Sequence, residues 1–115
     1  MTHFLGGNVT VMVSDMDSAV KFYTETLGLK LKNRYGDHWA DVEGPGISLG
    51  LHPAGSNVKT GNNLQIGFKV NDLDKTVADL ERKNVKFTVQ DDNQVRLATF
   101  ADPDGNVLYL AQSKR

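Results

Sequence analysis

The chain has 115 residues, of which 39% are hydrophobic and 23% are charged, and its formal net charge is −1. This length and composition fit a single soluble domain that is large enough to bury a core of its own. The near-neutral charge argues against a nucleic-acid or anionic-membrane partner, since both need a basic patch, and the lack of cysteine excludes disulfides and thiolate metal sites.

No stretch of the chain has the pattern of a signal peptide or of a membrane-spanning helix. The first residues lack a basic segment followed by an apolar run, and no apolar stretch approaches the roughly 20 residues that span a bilayer. We therefore expect a cytoplasmic protein that has no membrane partner.

The first half of the chain predicts a strand, a helix and three more strands. In residues 9–13 (VTVMV) the valines alternate with other residues, which is typical of a strand with one face on a core. Ser14 and Asp15 then offer oxygens that can cap a helix, and Gly28 is a residue type that ends helices in the left-handed conformation. The three further strands are predicted at 30–35, 39–43 and 47–52.

The second half predicts the same order of elements. Residues 66–70 (IGFKV) alternate as the first strand does, Asn71 and Asp72 can cap a second helix, and Asn84 can end it. The remaining strands are predicted at 86–90, 95–101 and 107–112.

The two halves are also similar in sequence. At an offset of 57 residues Asp15 aligns with Asp72, and at an offset of 59 EGPGISLGL (43–51) aligns with DPDGNVLYL (102–110). Repeats of this kind are the signature of a duplicated structural unit. The chain thus contains two copies of a βαβββ unit.

These observations divide the chain into two modules of one domain. The first module takes residues 1–55, a linker takes 56–63, and the second module takes 64–115. The fold class is α+β, because each module combines one helix with four strands.

Two motifs make the chain similar to the vicinal oxygen chelate superfamily, namely DMDSAVKFYTETLGLKL at 15–31 and DPDGNVLYL at 102–110. This superfamily includes glyoxalase I, extradiol dioxygenases, fosfomycin-resistance enzymes and bleomycin-resistance proteins. The resemblance, which covers essentially the whole chain, implies two βαβββ modules that form curved mixed sheets with the helices outside and a small-molecule cavity inside. It also implies a homodimer in which paired modules build each cavity.

The resemblance further indicates where a metal would be held. Metal-dependent relatives use His, Gln or Glu side chains from the first and last strand of each module, and the matching positions are Asn8, Gly50, Gln65 and Tyr109. Glycine has no side chain, the amides are neutral and a phenol is neutral near pH 7, so no anionic ligand would offset the hydration that a dication loses. We therefore predict neither a metal nor another cofactor.

Alternation along the strands places two more polar residues beside those four. Thr10 shares a strand face with Asn8, and His52 shares one with Gly50. His52 either lines the ligand cavity or is exposed to solvent at the end of its strand. In the cavity it can donate or accept hydrogen bonds or act as a weak base.

Aromatic residues complete the predicted ligand side. Ala40 and Val42 suit the core, which leaves Trp39 and Asp41 on the ligand side, although Trp39 could instead fill the core. Phe100 is the second aromatic residue that we assign to the cavity.

The predicted ligand-binding residues combine amides, hydroxyls and aromatic rings, which favours a small organic ligand. They are Asn8, Thr10, Trp39, Asp41, Gly50, His52, Gln65, Phe100 and Tyr109. No nucleophile can be paired with a base and an orienting group, so we assign no catalytic residue.

Two hypotheses about function follow. In the first, the chain is a metal-free small-molecule-binding protein, similar to the drug-sequestering members of the superfamily. In the second, it is a glyoxalase-like lyase or isomerase, or a dioxygenase, with an altered active site.

Overall fold

Eight strands and two α-helices make up the part of the chain that the computed structural model describes, residues 3–55, 58–61, 64–92 and 94–114. The chain divides into two compact units, Met1–Val58 and Lys59–Arg115. The division lies inside the segment predicted as the linker, of which residues 56, 57, 62 and 63 fall outside the described part.

The first unit has the predicted order of elements, with strand bounds within one residue of the prediction. They are β1 (Val9–Val13), α1 (Met16–Lys21), β2 (Lys30–Tyr35), β3 (Trp39–Gly44) and β4 (Ile47–Pro53). The sheet order is β1-β4-β3-β2, in which β1 and β4 are parallel and the other neighbours are antiparallel.

The second unit repeats this topology. Its elements are β5 (Ile66–Lys69), α2 (Leu73–Glu81), β6 (Thr88–Asp91), β7 (Val95–Ala101) and β8 (Val107–Ser113). The sheet order is β5-β8-β7-β6, again with the first pair parallel. The two mixed sheets confirm the predicted α+β class.

Both helices begin at the capping residues that the sequence indicates, and each is followed by its predicted left-handed residue. Asp15 accepts a hydrogen bond from the Ser18 amide at 3.2 Å, and Asp72 accepts one from the Lys75 amide at 3.0 Å. Gly28, with a φ of 84°, and Asn84, with a φ of 68°, take the left-handed conformation after the helices. None of the described helices is long and apolar enough to cross a membrane.

The first helix differs from the prediction in one respect, because it continues beyond α1 as a π-helical turn over Phe22–Thr26. The hydroxyl of Thr24 donates to the Val20 carbonyl at 2.6 Å, and the Leu27 amide donates to the Phe22 carbonyl at 2.9 Å. A threonine that bonds back to the preceding turn competes with the α-helical backbone pattern, which accounts for the wider turn.

One face of each sheet packs against the helix of its own unit. In the first unit, Val13, Leu49 and Leu51 are fully buried with Tyr23 from the π-helical turn. In the second unit, Leu108 is fully buried and Leu73 of α2 is nearly so. Burial of such side chains contributes about 1.5–3 kcal/mol each, so the packing of sheet against helix stabilises each unit.

An arginine of each sheet also binds the first-turn aspartate of its helix. The Nη2 atom of Arg34 lies 2.6 Å from Oδ1 of Asp17, and the Nη2 atom of Arg96 lies 2.8 Å from Oδ1 of Asp74. These hydrogen bonds raise the pKa of both arginines and lower the pKa of the Asp74 carboxyl. The aspartates are equivalent in the repeat, but Arg34 comes from β2 and Arg96 from β7, so different strands provide the same contact.

Candidate functional site

The second face of each sheet, which points away from its helix, is called the open face. Residues that are paired between neighbouring strands share a face, so the register determines which side chains lie there. The open face of the first sheet carries Thr10, Met12, Lys30, Asn33, Tyr35, Trp39, Asp41, Glu43, Ser48, Gly50 and His52.

Trp39 lies on this face, with its indole ring against the backbone of Gly50. A Cβ atom at position 50 would overlap the ring carbons Cζ2 and Cη2, and it would lie 3.0 Å from the side-chain nitrogen of Asn8. Only glycine therefore allows the ring to lie this close to β4. The ring is half-buried and on the predicted ligand side, so it does not fill the core.

Asp41 holds the indole in this position. Its carboxylate accepts a hydrogen bond of 2.8 Å from the Trp39 indole nitrogen, and both side chains are partly buried. The two residues are two positions apart on β3, so they project from the same face. The carboxylate retains a second oxygen that can accept hydrogen bonds from a ligand.

His52 stands at the edge of the same cluster. Its ring centroid lies 6.2 Å from that of Trp39, with the two ring planes at 74°. The Nδ1 atom lies 2.8 Å from the Pro53 carbonyl oxygen, which can only accept, so the neutral imidazole carries its proton on Nδ1. The Nε2 atom is then a hydrogen-bond acceptor. His52 lies on the open face, which is the predicted ligand side, and it is also exposed to solvent at the end of its strand. The two positions predicted as alternatives therefore occur together.

The first unit thus brings together six of the predicted residues. Thr10 is paired with Gly50 in the register of β1 and β4, and Asn8 lies one residue before β1. The six are Asn8, Thr10, Trp39, Asp41, Gly50 and His52.

The open face of the second sheet follows from its register in the same way. It carries Gly67, Lys69, Thr88, Gln90, Val95, Leu97, Thr99, Ala101, Val107, Tyr109, Ala111 and Ser113. Its composition is more apolar than that of the first sheet.

Tyr109 lies on this face, as the sequence predicts, and its ring extends across the sheet onto β5. A Cβ atom at Gly67 would overlap the phenol ring of Tyr109. The aromatic ring is therefore in contact with the glycine backbone, as in the first unit. Gln65, the other predicted residue on this side, lies one residue before β5 and is exposed.

The position of Phe100 corrects the prediction. Phe100 is paired with Leu108, is only 4% exposed, and lies with its ring centroid 5.1 Å from that of Phe87. It therefore faces the core of the second unit. Each face of β7 combines apolar residues with one polar residue, Arg96 beside Phe100 and Thr99 beside Leu97, so alternation could not distinguish the two sides.

Gly67 and Tyr35 lie on the open faces but are not among the predicted site residues. Gly67 lies inside a strand, where glycine often marks the close approach of another group, and this was the available signal. Tyr35 is paired with Trp39 and is 61% exposed on the same open face, but its position at the end of β2 gave no pattern to follow.

The positions that bind a metal in metal-dependent relatives do not provide a metal site in either unit. In the first unit they offer the Asn8 amide and a glycine covered by an indole, and in the second they offer an amide and the phenol of Tyr109. No group of three or more His, Asp or Glu side chains that could hold an ion occurs within the described ranges. These residues do not fit a transition-metal ion, which prefers imidazole, thiolate or carboxylate donors.

Comparisons with known proteins agree with this architecture. A family model described as the Glyoxalase/Bleomycin resistance protein/Dioxygenase superfamily matches residues 3–110. An uncharacterized protein of Mycolicibacterium smegmatis is 27% identical over 115 residues, and the alignment covers 93% of each chain.

Two solved structures illustrate the range of functions among similar folds. TnmS3, an antibiotic binding protein from Streptomyces sp. CB03234, is 30% identical with a TM-score of 0.74, and the alignment covers 97% of this chain and 100% of that chain. Lactoylglutathione lyase from Agrobacterium tumefaciens has a TM-score of 0.76, with 96% of each chain covered. At 15% identity the second similarity concerns the fold alone.

Proposed function

Because the chain belongs to the Glyoxalase/Bleomycin resistance protein/Dioxygenase superfamily, we propose that it binds a small organic ligand on the open face of its first sheet, without a transition metal. The observation that carries this proposal is the indole of Trp39, which Asp41 and Gly50 hold in one orientation. A ring that is already positioned loses little freedom when a ligand stacks on it, which favours binding.

The groups around the ring indicate the chemistry of the ligand. The indole offers a planar apolar surface, while the Asp41 carboxylate and the Nε2 atom of His52 accept hydrogen bonds. The Asn8 amide beside Gly50 can donate or accept. A planar organic molecule that carries hydrogen-bond donors at its edge would satisfy this arrangement.

The relative TnmS3 supports the choice of probes. It is an antibiotic binding protein, it is 30% identical, and it aligns over 97% of this chain. Planar antibiotics are therefore a sensible first set of compounds to test.

The chain contains a single tryptophan, so its fluorescence reports on Trp39 alone. We expect a planar ligand to change the emission of Trp39 in a saturable way. We expect Asp41→Ala to weaken binding about tenfold, because a hydrogen bond to a charged group and the orientation of the ring are both lost. Asp79→Ala, which removes a carboxylate from the exposed face of α2, is the matched control and leaves the affinity unchanged.

A different readout can contradict the proposal. Ligands that bind the native state raise its melting temperature. Compounds that raise the melting temperature equally in the wild-type protein and in Trp39→Ala would show that binding does not use this face.

The metal-independent part of the proposal has its own test. Elemental analysis of the purified protein should find no stoichiometric transition metal, because the donor set offers too few imidazoles or carboxylates. About one tightly bound transition-metal ion per chain would contradict this part.

An enzymatic role as a glyoxalase-like lyase or isomerase, or as a dioxygenase, is the alternative. The observation that favours it is the hydrogen bond between His52 Nδ1 and the Pro53 carbonyl oxygen, which leaves Nε2 as a possible proton acceptor. If the chain turned over a substrate and His52→Ala abolished turnover without weakening binding, the alternative would replace the binding-protein proposal.

A homodimer is also proposed, from the family resemblance and from the sheet edges. The strands β1 and β2 in one unit, and β5 and β6 in the other, are edge strands of their sheets. Unpaired edges favour association with another chain. A monomeric mass by light scattering at micromolar concentration would contradict the dimer. The cytoplasmic location stays a prediction.

A further inference from the structure

Lys69 is an isolated charge on the open face of the second sheet. Among the described residues of strands β5 to β8, the other side chains on that face are Gly, Ala, Val, Leu, Thr, Ser, Gln and Tyr. Lys69 forms no ion pair with a described carboxylate, whereas Lys114 and Arg96 of the same unit do. A cation on a largely neutral surface is available for a ligand.

A cleft lies beside this lysine at the end of the sheet, where β5 and β8 finish and β7 begins. Its volume is about 530 Å³, which is within the range of small-molecule sites. Val95 and Ala111 give it apolar walls, and Lys69, Gln112 and Ser113 give it polar groups. None of the described residues that line it is acidic.

The polar groups of the cleft favour an anion. Gln112 is paired with Arg96, and its Oε1 atom accepts a hydrogen bond of 2.7 Å from the Leu73 amide, so its side chain lies on the helix side of the sheet. Lys69 is therefore the charged group that the open face offers to a ligand at the cleft. The ammonium of Lys69 is donor only. A single cation matches a singly charged carboxylate better than a doubly charged phosphate, which usually meets several cations or an arginine.

An aromatic ring lies at a suitable distance from the charge. Lys69 is paired with Ala111, and Gly67, which lies under the Tyr109 ring, is paired with Tyr109. Because two residues along a strand span roughly 7 Å, the ring and the charged residue are about that far apart along the face. A planar molecule with a carboxylate at one end has these dimensions.

We propose that the second unit contains a binding site for aromatic carboxylates, in which Lys69 binds the carboxylate and Tyr109 contacts the planar body. The inference goes beyond the proposed function, because it rests on residues of the second unit alone. In the repeat the counterpart of Lys69 is Met12, so the first unit has no cation at this position.

The test compares two probes of the same shape, 2-naphthoate and 2-naphthamide, by calorimetric titration at about 20 mM salt, where ion pairs are weakly screened. We expect the wild-type protein to bind 2-naphthoate about threefold to fivefold more tightly than 2-naphthamide, as for a single exposed ion pair. Lys69→Met, which keeps the length of the side chain, should bind both probes equally. Lys69→Arg should restore the preference.

A wild-type protein without preference for 2-naphthoate, or a preference that persists in Lys69→Met, would overturn the inference. Equal binding of both probes would leave the proposed function intact, because that function needs no anion. A preference that depends on Lys69 would support the inference even if no compound altered the fluorescence of Trp39.

Discussion

The indole ring of Trp39 lies on the backbone of Gly50, in the space that any other side chain at position 50 would need. The phenol ring of Tyr109 covers Gly67 in the same way. In the repeat Gly50 corresponds to Tyr109, and Thr10, which is paired with Gly50, corresponds to Gly67. Each unit thus has one glycine in the equivalent pair of residues between its first and its last strand. The glycine belongs to the last strand in the first unit and to the first strand in the second unit, and an aromatic ring covers it in both.

Gly50→Ala tests whether the covered glycine positions the Trp39 ring. The new Cβ would overlap two ring carbons, so we expect the ring to move away from the sheet. The free energy of unfolding should fall by about 1–3 kcal/mol, as for other overpacked sites. The emission of Trp39 should shift to longer wavelength as the indole becomes more exposed to water.

Gly7→Ala is the matched control for this change. Apart from its two chain neighbours, no residue in the described part of the chain has a heavy atom within 4 Å of the Cβ that it would add. Unfolding in urea and the emission spectrum should both match those of the wild-type protein. An unchanged spectrum in Gly50→Ala would show that the ring does not lie on the glycine in solution.

Gly67→Ala tests the equivalent contact in the second unit. The added methyl group would overlap the phenol ring of Tyr109, so the substitution should be destabilising. In the Tyr109→Ala background the ring is absent, and the same substitution should cost at least about 1 kcal/mol less. The four proteins form a double-mutant cycle that urea unfolding can measure, and additive effects would contradict the contact.

Asp41→Ala tests the hydrogen bond that orients the indole. The bond of 2.8 Å from the indole nitrogen is partly buried, and we expect its loss to lower the free energy of unfolding by about 1 kcal/mol. Phenylalanine cannot donate this bond, so Asp41→Ala should have little effect in a Trp39→Phe background. An equal cost in both backgrounds would mean that Asp41 stabilises the unit in another way.

Asp74→Asn tests the contact between α2 and the second sheet. The hydrogen bond from Arg96 lowers the pKa of the Asp74 carboxyl in the folded state. The ionised form therefore stabilises the fold; this contribution is complete above the ordinary carboxyl pKa, near pH 4, and is lost as the pH falls through the lower folded pKa. We expect Asp74→Asn to make stability depend less steeply on pH below about pH 4.

Urea unfolding between about pH 2.5 and pH 6 measures this effect across the ordinary carboxyl range. Some dependence of stability on pH should persist in Asp74→Asn, because amide hydrogen bonds from Gln94 and Val95 lower the pKa of Asp92 as well. Glu81→Gln, on the exposed surface of the same helix, is the control and should follow the wild-type curve. Identical curves for Asp74→Asn and the wild-type protein would contradict the prediction.

Most of the fold could be predicted because it depends on local chemistry. The caps at Asp15 and Asp72 and the left-handed residues Gly28 and Asn84 act over three or four neighbouring residues, so their effects are visible in short stretches. The π-helical turn at Phe22–Thr26 was missed because the back-bonding of Thr24 competes with a helical pattern that the apolar residues still satisfy.

The candidate site was predictable only where one face of a strand is clearly more polar than the other. Thr10 and Asp41 belong to strands with such a contrast, because buried valines alternate with more polar residues in β1, and Ala40 and Val42 are buried in β3. In β7 neither face is clearly more polar than the other, because Arg96 shares a face with Phe100 and Thr99 shares one with Leu97, and only the pairing of Phe100 with Leu108 shows which side is the core. The register between strands therefore decided this residue, because alternation is informative only when the two faces differ.

The sequence by itself determined the family motifs, the two repeated units and nearly all element bounds. It also determined that the family's metal positions carry neither a carboxylate nor an imidazole. The tertiary structure alone decided that Trp39 and Tyr109 lie on glycines, and that Arg34 and Arg96 reach equivalent aspartates from different strands. It also decided that, among the described strand residues, Lys69 is the charged one on its face. The physical reason is the distance along the chain over which each interaction acts. Caps, turns and alternation involve residues that are close in the chain, whereas ring packing and the charge of a sheet face depend on strands that the fold brings together.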